Sequence, residues 1–215
     1  PEVNSVADFG CAQGVWLKCW MDNGMDDIQG VDGDYVDRAT LAVPVEFFHA
    51  QDLNKPIDLE RRFDLACSLE VAEHLQPENS EQFIHALTRH ADIVLFSAAP
   101  PGQGGESHIN ERPFDSWREM FRAKGYAAYD CVRPLIARSK DVSYWYRYNI
   151  LLYVHSSAVS SLSAETRATW IADDQKIADI SQPLFKARKF LVNLLPYRLQ
   201  NMLARAKARA VKNRT

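Results

Sequence analysis

The chain has 215 residues, 47% of them hydrophobic and 25% charged, with a formal net charge of -3. That is enough apolar material for one α/β domain with an appendage, and it excludes a globally disordered chain. No apolar run reaches the roughly 18 residues a membrane-spanning helix needs, and the opening Pro-Glu-Val-Asn-Ser, without a charged n-region or an apolar h-region, is not expected to be a signal peptide.

Ser5–Phe9 reads as a short apolar strand, followed by a turn over residues 10–14 and a helix over 15–23 that Gly24 ends. Residues 28–32 form a second strand. Residues 35–42 look helical until Pro44, and 45–49, β-branched and aromatic, read as a third strand. A fourth strand spans 63–68, and a loop and a helix near Ser80–His90 follow it. Ile93–Ser97 is almost wholly apolar, as a central parallel strand should be. The stretch 98–112 then carries Pro100, Pro101, Gly102, Gly104 and Gly105; a loop this long in a compact domain is functional or disordered. A helix over 114–124 stops at Gly125, and two strands, 126–132 and 146–154, flank a polar stretch at 138–143.

Strands alternating with helices predict an α/β fold with a doubly wound, mostly parallel seven-stranded sheet. The last two strands, with no helix between them, are expected to pair as an antiparallel edge. Residues 156–180 read as a linker and a weak helix, and 184–210 as one or two helices broken at Pro196. The expected division is a domain over 1–155 and a linker with a basic amphipathic helical tail over 156–215. Folds of this type carry a helix ahead of the first strand, so either the numbering begins inside a longer protein or the tail supplies that helix.

Cys11, Cys19, Cys67 and Cys131 include no C-x-x-C pair, so a zinc site is not expected, no other metal is assigned, and the four read as reduced thiols of a cytoplasmic protein. Charge is unevenly spread. Residues 181–215 hold nine Lys or Arg and no acid, which leaves 16 basic and 28 acidic residues elsewhere, a balance of -12. Leu199, Met202, Leu203, Ala206 and Ala210 recur at helical spacing, with Arg198, Arg205, Lys207, Arg209, Lys212 and Arg214 between them. Such a helix packs on its own domain or a partner, or lies on anionic lipid as a membrane-peripheral element; nucleic acid is the least expected partner, since no basic patch accompanies the other motifs.

Four segments carry chemistry. Asp8-Phe9-Gly10-Cys11-Ala12-Gln13-Gly14 joins a strand to a helix. Gly10 permits a sharp turn and Gly14 a close helix start, whose N-terminus carries partial positive charge. Ala12 and the missing third glycine depart from the dinucleotide fingerprint, and no Lys-Ser/Thr end marks a phosphate loop. A nucleoside without phosphates fits better. Asp32, with Gly33, ends strand two about 18 residues past Gly14, where a carboxylate can accept from ribose hydroxyls. Asp52 and Leu53 follow strand three, placed for an adenine amino group and ring. The segment 63–75, FDLACSLEVAEHL, runs from a buried strand into a polar loop.

In this order and spacing the four segments resemble class I, Rossmann-like S-adenosylmethionine-dependent methyltransferases, and residues 97–121 resemble the region after strand five in a small-molecule subgroup. The resemblance spans about residues 3–155. It implies that Asp8, Gly10 and Gly14 shape the methionine side of the cofactor site and that Cys11 and Ala12 present backbone groups to it. Asp32 and Gly33 would hold the ribose, Asp52 and Leu53 the adenine, and Ser68, Leu69 and Glu70 would line the wall near the sulfonium. The implied activity is methyl transfer to a small-molecule hydroxyl, on a sugar or a secondary metabolite. The rivals are methylation of RNA or protein and a non-catalytic cofactor-binding module.

A hydroxyl acceptor benefits from a general base, and histidine suits neutral pH. His108, in the glycine-rich loop and followed by Asn110, Glu111 and Arg112, is the candidate; the competing reading has it ordering its own loop. His74 is the alternative base or a substrate contact, with Asn110, Glu111, Tyr146 and Tyr148 as further substrate contacts. The stretch 138–149, with Tyr144, Trp145, Tyr146, Arg147, Tyr148 and Asn149, is a second candidate that closes over a ring or a sugar, or else covers the sheet edge. His49 reads as structural, and His85 and His90 as residues of a surface helix. Glu70 and Glu73, taken alone, could be solvated acids.

Overall fold

The computed structural model describes residues 2–212, and in the last helix the side chains as far as residue 206 and that of Arg209. Arg214 and the side chains of Lys207, Ala210 and Lys212, all part of the expected basic face, lie outside the described residues. Seven strands form one sheet: β1 (Ser5–Phe9), β2 (Asp27–Asp32), β3 (Phe48–Ala50), β4 (Leu65–Leu69), β5 (Ile93–Ser97), β6 (Tyr126–Tyr129) and β7 (Leu151–His155). Their order is β3-β2-β1-β4-β5-β7-β6, parallel from β3 to β5, with β7 antiparallel to both its neighbours. The doubly wound sheet and its antiparallel edge pair are as expected. β1 and β4 are buried along their whole length, which is why they read as continuous apolar runs.

The helices are α1 (Val15–Asp22), α2 (Ser80–His90), α3 (Phe114–Arg122), α4 (Arg133–Ile136), α5 (Tyr144–Asn149), α6 (Ala164–Arg167), α7 (Pro183–Asn193) and α8 (Tyr197–Lys212). On one face of the sheet α3 buries Trp117 and Phe121 against β5 and β7. Phe121 stacks on Tyr153 at 3.9 Å between ring centroids, and Phe96 meets Trp117 at 5.5 Å.

Three stretches depart from the sequence reading. Residues 35–42 form only a 3-10 turn at Arg38–Thr40, because the Asp37 side chain accepts from the Ala39 N–H and the Thr40 hydroxyl donates to the Asp37 carbonyl. Such local bonds compete with a longer helix. After Pro44 a second 3-10 turn, Val45–Phe47, delays strand three to Phe48–Ala50. The aromatic run is the helix α5 rather than the start of the last strand, so α4 and α5 separate β6 from β7. Arg133, wholly buried, holds this connection: it pairs with Asp130 and donates to the carbonyls of Tyr148 and Ala178.

Residues 156–181 are docked on the sheet. Trp170 pairs with Tyr129, Ile171 and Ile177 are buried in the main core, and Arg118 donates to the Gln175 carbonyl. From there α7 and α8 turn back over the carboxyl edge of the parallel strands. No described helix is long and apolar enough to cross a membrane. All four cysteines are free.

Phe121→Ala empties a fully buried aromatic site and should destabilise the protein by about 3–5 kcal/mol. Urea unfolding should show a lower midpoint with an unchanged slope.

Candidate functional site

The loop after β1 and the acid that ends β2 form one unit. Gly10 has φ +91°, and a Cβ there would stand 2.3 Å from Val71 Cγ2, so both conformation and space demand glycine. Ala12 also sits at positive φ, +47°. Its N–H donates to Asp32 Oδ2 at 2.7 Å, and this charged acceptor holds the strained residue in place. Asp32 Oδ1 accepts from the Gly33 N–H and the Tyr35 hydroxyl. Gly14, at φ +76°, caps α1. Cys11 is buried, its thiol directed to the Ala12 carbonyl.

A cavity of about 660 Å³ opens beside this unit, lined by Asp32, Gly33, Tyr35, Asp52, Leu53 and His74 among others. Leu53 is buried, and the Asp52 carboxylate is half exposed at the rim. Asp8, near the end of β1, is buried with Oδ2 lacking a hydrogen-bond partner among the described residues. Burial, with the Asp32 charge as a smaller contribution, pushes its carboxyl up to about 7. Ser68 and Leu69 lie inside β4; Leu69 belongs to the same core cluster as Val6 and Ile150, the Ser68 hydroxyl is buried without a hydrogen-bond partner among the described residues, and neither residue lines this cavity or the one described next.

A second cavity, about 740 Å³, adjoins the first at His74. Its floor comes from the loops after β4 and β5. Glu70, at φ +59°, directs its carboxylate to Gln103 and Asn149, which also bond each other. Glu73 is wholly buried, and neither carboxyl oxygen has a hydrogen-bond partner among the described residues. Burial above all, and then the Glu70 charge, raises its carboxyl well above the usual range, against a smaller lowering by the nearby Glu73 and Ala99 backbone N–H groups. Burial and the nearby His108 lower His74. The His74 and His108 rings meet edge to face at 4.8 Å. His108 Nδ1 lies 2.9 Å from Glu111 Oε1, and the Gly102 and Gly104 N–H groups both donate to the Glu111 carboxylate at 2.7 Å. Gly105 leaves room for the imidazole: a Cβ there would stand 2.0 Å from Nε2.

The roof is the tail. Arg188, Val192, Gln200, Leu203 and Ala204 face the cavity beside Tyr144 and Trp145. Arg188 donates to the Gln103 carbonyl, Asn201 accepts from the Ser107 N–H, and Arg205 pairs with Glu106 at 3.4 Å. The basic helices therefore pack on their own domain.

Other residues named from the sequence sit apart from the cavities. Asn110 is a buried brace that donates to the Ala72 carbonyl and the Ser80 hydroxyl. Tyr146 lies edge-on to Trp16, and Tyr148 is buried near Phe185; helical phase brings Tyr144 and Trp145 to the cavity instead. His90, read as a surface residue, is buried and accepts from the Leu59 N–H, whereas His85 is exposed. Tyr35, Glu73, Gln103 and Arg188 were not assigned to the site, whereas Asn149, Tyr144 and Trp145 fall in the 138–149 stretch read as a candidate substrate contact. Only the Glu70-x-x-Glu73-His74 spacing gave any sign, since Glu73 reads as a surface acid until its burial is known.

A family profile described as a methyltransferase domain matches residues 1–133. No curated protein matches the chain by sequence. Solved structures share the fold. The sugar N-methyltransferase KedS8 from Streptoalloteichus sp ATCC 53650 is 16% identical with a TM-score of 0.54, over 71% of this chain and 80% of that one. Magnesium protoporphyrin IX methyltransferase (ChlM) from Synechocystis PCC 6803, solved with bound SAM, is 22% identical with a TM-score of 0.51, over 73% and 71%. DesVI from Streptomyces venezuelae is 13% identical with a TM-score of 0.54, over 73% and 85%.

Because the folded Asp8 carboxyl titrates near 7 against an ordinary 3.8, the folded state keeps a proton that the unfolded chain has lost between those values. Asp8 therefore subtracts stability as pH rises through that window, by at most about 4 kcal/mol at 1.36 kcal/mol per unit. In urea unfolding, the stability of Asp8→Asn relative to the natural chain should climb from pH 4 to pH 8; a difference independent of pH would contradict this origin.

Proposed function

The chain belongs to the methyltransferase domain family and takes S-adenosylmethionine as its methyl donor, and from that premise we propose that it methylates a hydroxyl group of a small polar acceptor, on a sugar or a secondary metabolite. The observation that carries this reading is the meeting of the two cavities at His74: one is bounded by Asp32, Asp52 and Leu53, the other by a polar floor containing His108.

The residues present suit the donor. Asp32, already fixed by the Ala12 and Gly33 N–H groups, faces its cavity as an acceptor for a ribose diol. Leu53 offers an apolar surface to adenine, and Asp52 an acceptor for its amino group. Asp8, whose buried oxygen lacks a partner, stands beside the loop on the methionine side, where an ammonium group would satisfy it. No lysine or third glycine provides for phosphates. When bound, the cofactor supplies an activated methyl for in-line displacement, and the protein's task is alignment and proton handling.

On the acceptor side, His108 is the proton acceptor for the hydroxyl in the metal-free protein. Glu111 accepts from Nδ1–H, which fixes the ring and leaves Nε2 basic. The Glu70–Gln103–Asn149 network offers hydrogen bonds to an acceptor, and Tyr144 and Trp145 offer flat apolar walls. Cover by α7 and α8 favours a small acceptor over RNA or a folded protein, and the floor residues favour catalysis over a binding role alone.

Calorimetry should show one S-adenosylmethionine per chain, weakened roughly 100-fold or more in Asp32→Ala, which removes a charged acceptor. No binding at millimolar cofactor overturns the proposal. Among acceptor panels, hydroxylated sugars should outperform amines. His108→Ala should lower turnover roughly 100-fold or more while cofactor affinity stays unchanged; full turnover in that variant removes His108 from the reaction.

A further inference from the structure

We infer that Glu73, His74 and His108 hold a divalent first-row transition-metal ion at the floor of the acceptor cavity. One ligand atom from each of the three lies within 4.8 Å of the other two. Ligands on an ion at about 2.1 Å stand roughly 3–3.5 Å apart, so closing the cluster asks for shifts of about an ångström.

The unpartnered carboxyl of Glu73 is an independent observation. This side chain is 0% exposed, both oxygens lack hydrogen-bond partners among the described residues, and it is aimed at two imidazoles. Burying this carboxyl without a well-formed hydrogen bond is unfavourable, and a cation among these ligands offsets that. The surroundings are built as metal sites are built. Nδ1 of His108 is occupied by Glu111, so Nε2 is the ligating atom, and Glu111 is itself fixed by the Gly102 and Gly104 N–H groups. Glu70 adds a second carboxylate nearby, pinned by Gln103 and Asn149.

The donor set names the class of ion. Two imidazoles and one carboxylate suit Zn²⁺, Co²⁺, Fe²⁺ or Mn²⁺ better than Mg²⁺ or Ca²⁺, which take oxygen shells. The lack of paired cysteines excludes only a thiolate site. Three protein ligands leave coordination positions open toward the cavity, where an acceptor hydroxyl or a water would bind. The ion lowers the pKa of such an oxygen, so its proton passes to bulk water rather than to His108. At Nε2 the ligand role and the proton-acceptor role exclude each other, and the two readings separate experimentally. The metal site takes its meaning from the methyltransferase reading, but its test involves neither methyl donor nor acceptor.

The full chain, stripped with a chelator, is titrated with Zn²⁺ by calorimetry and with Co²⁺ by visible absorption. One ion per chain with a ligand-field spectrum is expected. Glu73→Gln and His108→Gln should each weaken binding at least 100-fold, while His85→Ala, an exposed imidazole elsewhere, should leave it unchanged. A cooperative urea unfolding transition of each variant reports that it is folded, and if Glu73→Gln fails to fold, His108→Gln decides alone. No binding at millimolar Zn²⁺ or Co²⁺, or equal binding by His108→Gln and the natural chain, overturns the inference. Metal binding without methyl transfer would leave this site standing and sink the functional reading instead.

Discussion

The Glu111 carboxylate is the fixed point of the site. It accepts from two backbone N–H groups, Gly102 and Gly104, and from the His108 imidazole. Three donors on one carboxylate turn a glycine- and proline-rich loop, which has no secondary structure of its own, into a rigid floor. The rest is set against that floor. Gln103 reaches Glu70 and Asn149 from it, Gly105 makes room for the imidazole, and Gly102 lets α7 come close: a Cβ there would stand 2.0 Å from the Lys189 carbonyl oxygen.

The site also concentrates acids that water would ordinarily solvate. Asp8, Asp32 and Glu73 are buried, and Glu70 is partly so. Asp32 is held by the Ala12 and Gly33 N–H groups and still faces its cavity, whereas Asp8 and Glu73 have oxygens without hydrogen-bond partners among the described residues. Left-handed conformations at Ala12, Glu70 and Ser107, none of them glycine, add local strain. Uncompensated burial and strain cluster where a ligand is expected to complete the hydrogen bonding, and the hydrophobic packing of α3 under β5 and β7 offsets them elsewhere in the fold.

The basic tail supplies a third element. Its positive charge complements an acidic body, and the contacts realise this locally: Arg205 with Glu106, Lys189 with Asp179, and Arg188 on the Gln103 carbonyl. The helices cover the acceptor cavity at the carboxyl edge of the sheet. The lining of this cavity is thus shared between the floor after β4 and β5 and a roof far away in sequence.

Local periodicity and turn chemistry determined much of this protein. Buried parallel strands read as apolar runs, and Gly10, Gly14 and Asp32 stand at the spacing of a strand-turn-helix arrangement, so the sheet, its antiparallel edge and the loop that Asp32 holds were legible. Three features were decided by tertiary structure. The aromatic run at 144–149 has no alternation of its own and became a helix because Arg133 ties the Tyr148 carbonyl to Asp130 and Ala178. Glu73 carries the same letter as a surface acid, and only the closing of the 98–112 loop above it, with the Ile109 and Asn110 N–H groups donating to its carbonyl, takes it out of water. The tail's basic, amphipathic pattern was visible, but its docking place was not, because hydrophobic spacing specifies that a face will be buried and leaves open against what.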